Sequence, residues 1–182
     1  MKHFRKTIAL FLVVVMLTIT MGSTVLAGNE NQGFSDQAET TVDSRFLDGI
    51  DTAGYDYVIT SQEQADELRV SDDSKSILVA CGSVYLSGIT AGTITIRNTT
   101  KIQLSNVTAK ALDISQGTAI SFTGVKADQL LIAGEKTEES SLQIDSETNI
   151  SKLELNGGQA VTLEGSGTIG DVEVKEPVSS LA

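Results

Sequence analysis

Between Val84 and Val174 the chain repeats one short unit, apolar–any–apolar, ten times. The units are Val84/Leu86, Ile94/Ile96, Ile102/Leu104, Leu112/Ile114, Ile120/Phe122, Leu130/Ile132, Leu142/Ile144, Leu153/Leu155, Val161/Leu163 and Val172/Val174. Successive first members are 10, 8, 10, 8, 10, 12, 11, 8 and 11 residues apart. Long and short intervals alternate, so the true repeat is a pair of units, 18 residues at first and about 19 later. Apolar residues two apart share one face of a strand. A strand so short must stack on copies of itself to be stable. An α-helix would need spacings of 3 and 4, and Gly, Ser and Thr break the pattern too often for one.

The pattern predicts an all-β fold, a right-handed parallel β-helix (β-solenoid) with 18–19 residues per coil. One inward row is Val84, Ile102, Ile120, Leu142, Val161, and its neighbour is Leu86, Leu104, Phe122, Ile144, Leu163. The opposite wall carries Ile94, Leu112, Leu130, Leu153, Val172 beside Ile96, Ile114, Ile132, Leu155, Val174. A weaker third wall is expected at Ile89, Val107 and Val125, each followed two residues on by alanine, with Ile150 and Ile169 in that place later. An antiparallel sandwich is the rival. The alternating intervals and the uniform rows favour the solenoid. Each coil buries about five aliphatic side chains at roughly 1.5–3 kcal/mol apiece, enough for a real core.

The flanks divide the chain further. Residues 1–27 read as an export signal, with Lys2, Arg5 and Lys6 before the apolar stretch Ile8–Ile19 and small residues near Ala27. Residues 28–56 read as a polar linker, in which Asp48, Asp51 and Asp56 lack the spacing of a calcium loop. Residues 57–76 read as an N-terminal cap. It holds a strand from Tyr57 to Thr60 and a short helix over about 62–69, begun by the capping box Ser61-Gln62-Glu63-Gln64. The solenoid occupies 77–182, with one charged excursion at Gly134–Ser141 and a further coil beginning at Val178–Ala182. Its last rung is expected to be open and to invite self-association.

Composition narrows the chemistry. Three of the 13 basic residues, none of the 24 acidic ones and the single histidine, His3, lie in residues 1–27. The remainder carries ten bases against 24 acids, a charge of −14. Such a chain is a poor partner for nucleic acid, and it meets a membrane only through its signal segment before cleavage. Without histidine, Ser-His-Asp catalysis and His-containing zinc sites fall away. No cofactor is expected. The lone Cys81 reads as a small buried corner residue. Asn98, Asn106 and Asn149 match the glycosylation pattern and are expected at left-handed corners.

Two outward faces are candidate sites. The first is an uncharged surface row of Tyr85, Gln103, Ser121, Gln143 and Thr162. The second is acidic, with Asp113 and Glu154 two rungs apart and Arg97 placed to pair with Asp113. Two carboxylates at that spacing are the minimum for glycoside hydrolysis. Over residues 77–175 the stacked units resemble exported bacterial β-helical repeat proteins, such as adhesin stalks and surface-layer-associated solenoids. The resemblance implies a non-enzymatic structural or adhesion module, secreted or at the cell surface, with a glycan or cell-wall polymer as partner. A likeness to the pectin-lyase kind of β-helix implies the alternative, carbohydrate binding or processing.

Overall fold

The computed structural model describes residues 44–134 and 139–175. The signal segment, most of the linker, the excursion's centre and the expected coil at 178–182 lie outside them. The described chain is a parallel β-solenoid of about six turns. Its strands are β1 (Tyr57–Ile59), β2 (Ser71–Ala80), β3 (Ser83–Ser87), β4 (Thr90–Arg97), β5 (Lys101–Ser105) and β6 (Thr108–Ser115). They continue with β7 (Ala119–Thr123), β8 (Lys126–Ala133), β9 (Glu139–Ile144), β10 (Asn149–Asn156), β11 (Ala160–Gly165) and β12 (Thr168–Lys175). Among the described residues one α-helix, α1, spans Gln62–Glu67, and a single 3-10 turn precedes it at Ser44–Phe46.

Two sheets result, not three walls. A long sheet runs β1-β2-β4-β6-β8-β10-β12 and a short one β11-β9-β7-β5-β3. The expected third wall is the first half of the long sheet's strands. Ala91, Ala109 and Ala127 pair along one row, and each strand continues into Ile94, Leu112 or Leu130. Pairing skips Gly92, Lys110, Asp128 and Ser151, and the strand bends there, which returns the next apolar pair to the interior. Ile150 pairs with Ala127, so it stands in the alanine row and not, as expected, in that of Val125. Thr148 takes that place, fully buried, and its hydroxyl accepts the Val125 N–H at 3.2 Å.

The core lies between the sheets. Leu86, Ile96, Ile102, Leu104, Ile114 and Phe122 are all 1% exposed or less. Corners rely on left-handed backbone at Asn98, Asn106 and Gln116, whereas Asn149 opens β10 in extended form, against expectation. At one corner a hydroxyl ladder ties coil to coil. Thr100 Oγ1 donates to the Gly82 carbonyl and Thr118 Oγ1 to that of Thr100, both at 2.9 Å.

The final rung departs from the apolar count. Leu163, not Val161, pairs with Leu142, Val161 pairs with Ser140, and Gly165 falls beside Ile144. Asn156 and Thr162 lie six residues apart where their register counterparts Ser115 and Ala119 lie four apart, and the corner between them holds Gly157 and Gly158, both at positive φ. Coil length is greatest before this corner, where the charged excursion lies. Ile102 pairs with Ile120, 18 residues on, but Leu130 pairs with Leu153, 23 residues on. The end of the expected excursion is also strand, since Glu139 to Ser141 belong to β9 and Ser140 is buried.

Candidate functional site

The first candidate row forms as far as Gln143. Tyr85, Gln103, Ser121 and Gln143 pair in sequence along the outer side of the short sheet. Thr162 does not belong to it. The register shift puts Thr162 beside Ser141, and Glu164 follows Gln143. Gln143 Nε2 donates to Glu164 Oε2 at 3.1 Å. A shallow hollow of about 340 Å³ lies at this end, lined by Ser121, Gln143, Asp145 and Glu164. The Asp145 carboxyl is held below its ordinary range by the Thr148 hydroxyl first and the Gly124 N–H second. At the other end Tyr85 is 45% exposed, the one aromatic ring on the row.

On the long sheet the register sets Thr95, Asp113, Leu131, Glu154 and Glu173 side by side. Arg97 grips Asp113 with both arms of its guanidinium, Nη1 to Oδ1 at 3.0 Å and Nη2 to Oδ2 at 2.6 Å. Such two-point pairs are the strongest ionic contacts available to a carboxylate. Glu154 accepts from Lys175 at 2.7 Å and is only 7% exposed. Lys152 pairs with Glu173, whose carboxyl it pulls below the ordinary range, chiefly by the hydrogen bond. A glycosidase needs one carboxyl kept protonated as an acid and a second free to act on the sugar or on water. Asp113 and Glu154 instead face cations.

Sequence reasoning missed a groove along the bend of the long sheet. It measures about 510 Å³ and is lined by Asp73, Thr108, Lys110, Lys126, Asp128, Asn149 and Ser151 around a floor of alanines. Lys110 and Asp73 form an exposed ion pair at 3.1 Å. The signal for it was present in the sequence. The polar residues flanking each inward alanine repeat with the coil, but they become one surface only when the strands bend together.

Cys81 is buried at a corner with its thiol donating to the Ser83 carbonyl, and burial raises its pKa. Asp51 and Asp56 serve the backbone. Asp51 accepts the Ala53 N–H, and Asp56 accepts from the N–H and hydroxyl of Ser76 and from Lys75. Among the described residues no group of His, Cys, Asp or Glu forms a metal cage, and no helix is long and apolar enough to cross a membrane. No protein-family model matches the chain, and comparison with curated proteins and with solved structures finds no match.

Proposed function

We propose that the chain is a non-enzymatic structural or adhesion module of the exported bacterial β-solenoid kind, secreted or held at a cell surface. The observation that carries this reading is the mutual engagement of the outward charges on the long sheet. Arg97–Asp113, Lys152–Glu173 and Lys175–Glu154 tie neighbouring coils to one another. Side chains used in this way stiffen a rod and leave little free for proton transfer. The flat row of Tyr85, Gln103, Ser121 and Gln143 supplies an uncharged contact face for a surface polymer.

The bend groove favours a second reading, carbohydrate binding. Hydroxyl, amide, ammonium and carboxylate groups alternate along it, the mixture that hydrogen-bonds sugar hydroxyls. A glycan array paired with a polysaccharide-cleavage assay separates the readings. The adhesion module binds a surface polymer without cleaving it, and Tyr85→Ala weakens that binding while Lys126→Ala does not. Loss on Lys126→Ala alone moves the site to the groove. Cleavage of any polymer overturns the non-enzymatic reading.

A further inference from the structure

We propose that the open C-terminal end of the described solenoid is a self-association surface, on which a second copy of this chain docks tail to tail, β12 antiparallel to β12 about a twofold axis. The proposal is independent of what the walls bind. Among the described residues β12 pairs with β10 on one side and with no strand on the other. Leu163, Val172 and Val174 occupy inward rows here, yet they are 44%, 49% and 65% exposed. Leu142 and Leu153, the partners of Leu163 and Val172 one coil earlier, are fully buried, and Leu155, the partner of Val174, is partly buried. Apolar ends beside unpaired backbone N–H and C=O groups recruit another strand.

The opposite end offers only a short edge in the long sheet, the three-residue β1, and a covered one in the short sheet. There β3 is the last strand of the short sheet, and the Gln62 side-chain amide occupies both backbone groups of Tyr85, accepting its N–H at 2.7 Å and donating to its carbonyl at 2.9 Å. Ala65 and Leu68 bury their side chains in the core at the same end. A head-to-tail stack would have to displace this cap. An end that pairs with its own copy instead closes at two subunits.

The sequence of β12 fits that symmetry. It contains Asp171-Val172-Glu173-Val174-Lys175. Antiparallel pairing centred on Glu173 sets Asp171 of each copy opposite Lys175 of the other, and Val172 opposite Val174. Both cross-strand combinations are favourable. Glu173 meets its own copy at the centre, where each is already paired with a Lys152. Centring on Val172 would instead oppose Asp171 to Glu173 twice.

Sedimentation velocity over a concentration series tests the proposal on the chain from Gly28 on, which contains the whole described fold. The expected result is a reversible dimer with no larger species. Asp171→Lys, which leaves every described ion pair intact, should weaken it by at least about tenfold, and adding Lys175→Asp should restore it. Should that double variant fail to fold, Glu173→Cys in a Cys81→Ala background decides, because only the centred register joins two such cysteines. A concentration-independent monomer, an open-ended series of oligomers, dimers indifferent to Asp171→Lys, or no disulfide from Glu173→Cys would each overturn it.

Discussion

The two ends of the solenoid solve the same problem differently. At the N-terminal end, β1 supplies a strand partner for β2, and α1 covers the short sheet. Ser61 caps the helix by accepting the Gln64 N–H, and the Gln64 side chain reaches back to the Thr60 N–H at 2.6 Å. At the C-terminal end the coil tapers. A Cβ on Gly165 would run into the Ile144 carbonyl, and one on Gly167 would lie 2.6 Å from the Asp145 carbonyl oxygen. Glycine there lets the last coil sit tightly on the one before it but contributes no side chain to shield the core. A solenoid coil is stabilised by neighbours on both sides. The same residue type should therefore matter less toward the C-terminal end.

The largest effect belongs to the middle, which calibrates both ends. Leu104 is 1% exposed, stacked between Leu86 and Phe122 of its own row and beside the row of Ile102. Leu104→Asp buries a carboxylate without a partner and should cost at least about 4 kcal/mol. Thermal unfolding checks it, with Ser121→Asp on the outer face as the control expected within about 0.5 kcal/mol. Equal melting shifts for the two would contradict the inward row.

A matched pair measures the taper directly. Leu142 and Leu163 are register partners, the first fully buried and the second 44% exposed. Leu142→Ala should cost about 3 kcal/mol, the usual scale for a core leucine. Leu163→Ala should cost about 1 kcal/mol or less, since much of its surface is already in water. Denaturant titration at high dilution gives both values. If Leu163→Ala costs as much as Leu142→Ala, something covers the last coil.

At the other end, Gln62→Ala removes the side chain that serves both backbone groups of Tyr85. Water can reach these groups, so the expected loss is about 1 kcal/mol. Amide hydrogen exchange should show the opening confined to α1 and β3, with Ile102 and Leu104 still protected.

The rows of the long sheet were legible because every inward position from Ile94 to Val174 is aliphatic and every register partner is too. Reading failed where a polar or small residue took an inward place. Thr148 is invisible to an apolar count, yet its hydroxyl bonds Asp145 at 2.7 Å and so is satisfied inside. Val161 and Leu163 satisfy the apolar unit whichever of them lies under Leu142, and only the Gly157-Gly158 corner decides between them. The Arg97–Asp113 pair could be anticipated from their neighbouring rungs. The bend groove left only the repeating polar residues beside each alanine as a trace, because the skipped residues at Lys110, Asp128 and Ser151 do not disturb the spacing of apolar pairs.

The smallest effect separates the ends by their electrostatics. Asp56 holds the lead-in against β2, and its pKa is lowered from 3.8 to about 2, mainly by the Ser76 N–H and then by Lys75 and the Ser76 hydroxyl. Near the other end, Glu173 is lowered chiefly by its hydrogen bond to Lys152, aided by the charges of Lys152 and Lys175. Both groups are depressed in the folded state. Each therefore contributes stability above its unfolded pKa and loses it as pH falls through the folded value. For Asp56 that window runs from about pH 4 down to about 2. Added salt distinguishes the two. Screening weakens an exposed ion pair far more than a hydrogen bond from a neutral donor. A carboxyl NMR titration in low and high salt should raise the Asp56 midpoint less than that of Glu173, because the Ser76 contacts persist when Lys75 is screened. If Asp56 moves as far as Glu173, its Ser76 contacts are not what holds the N-terminal end.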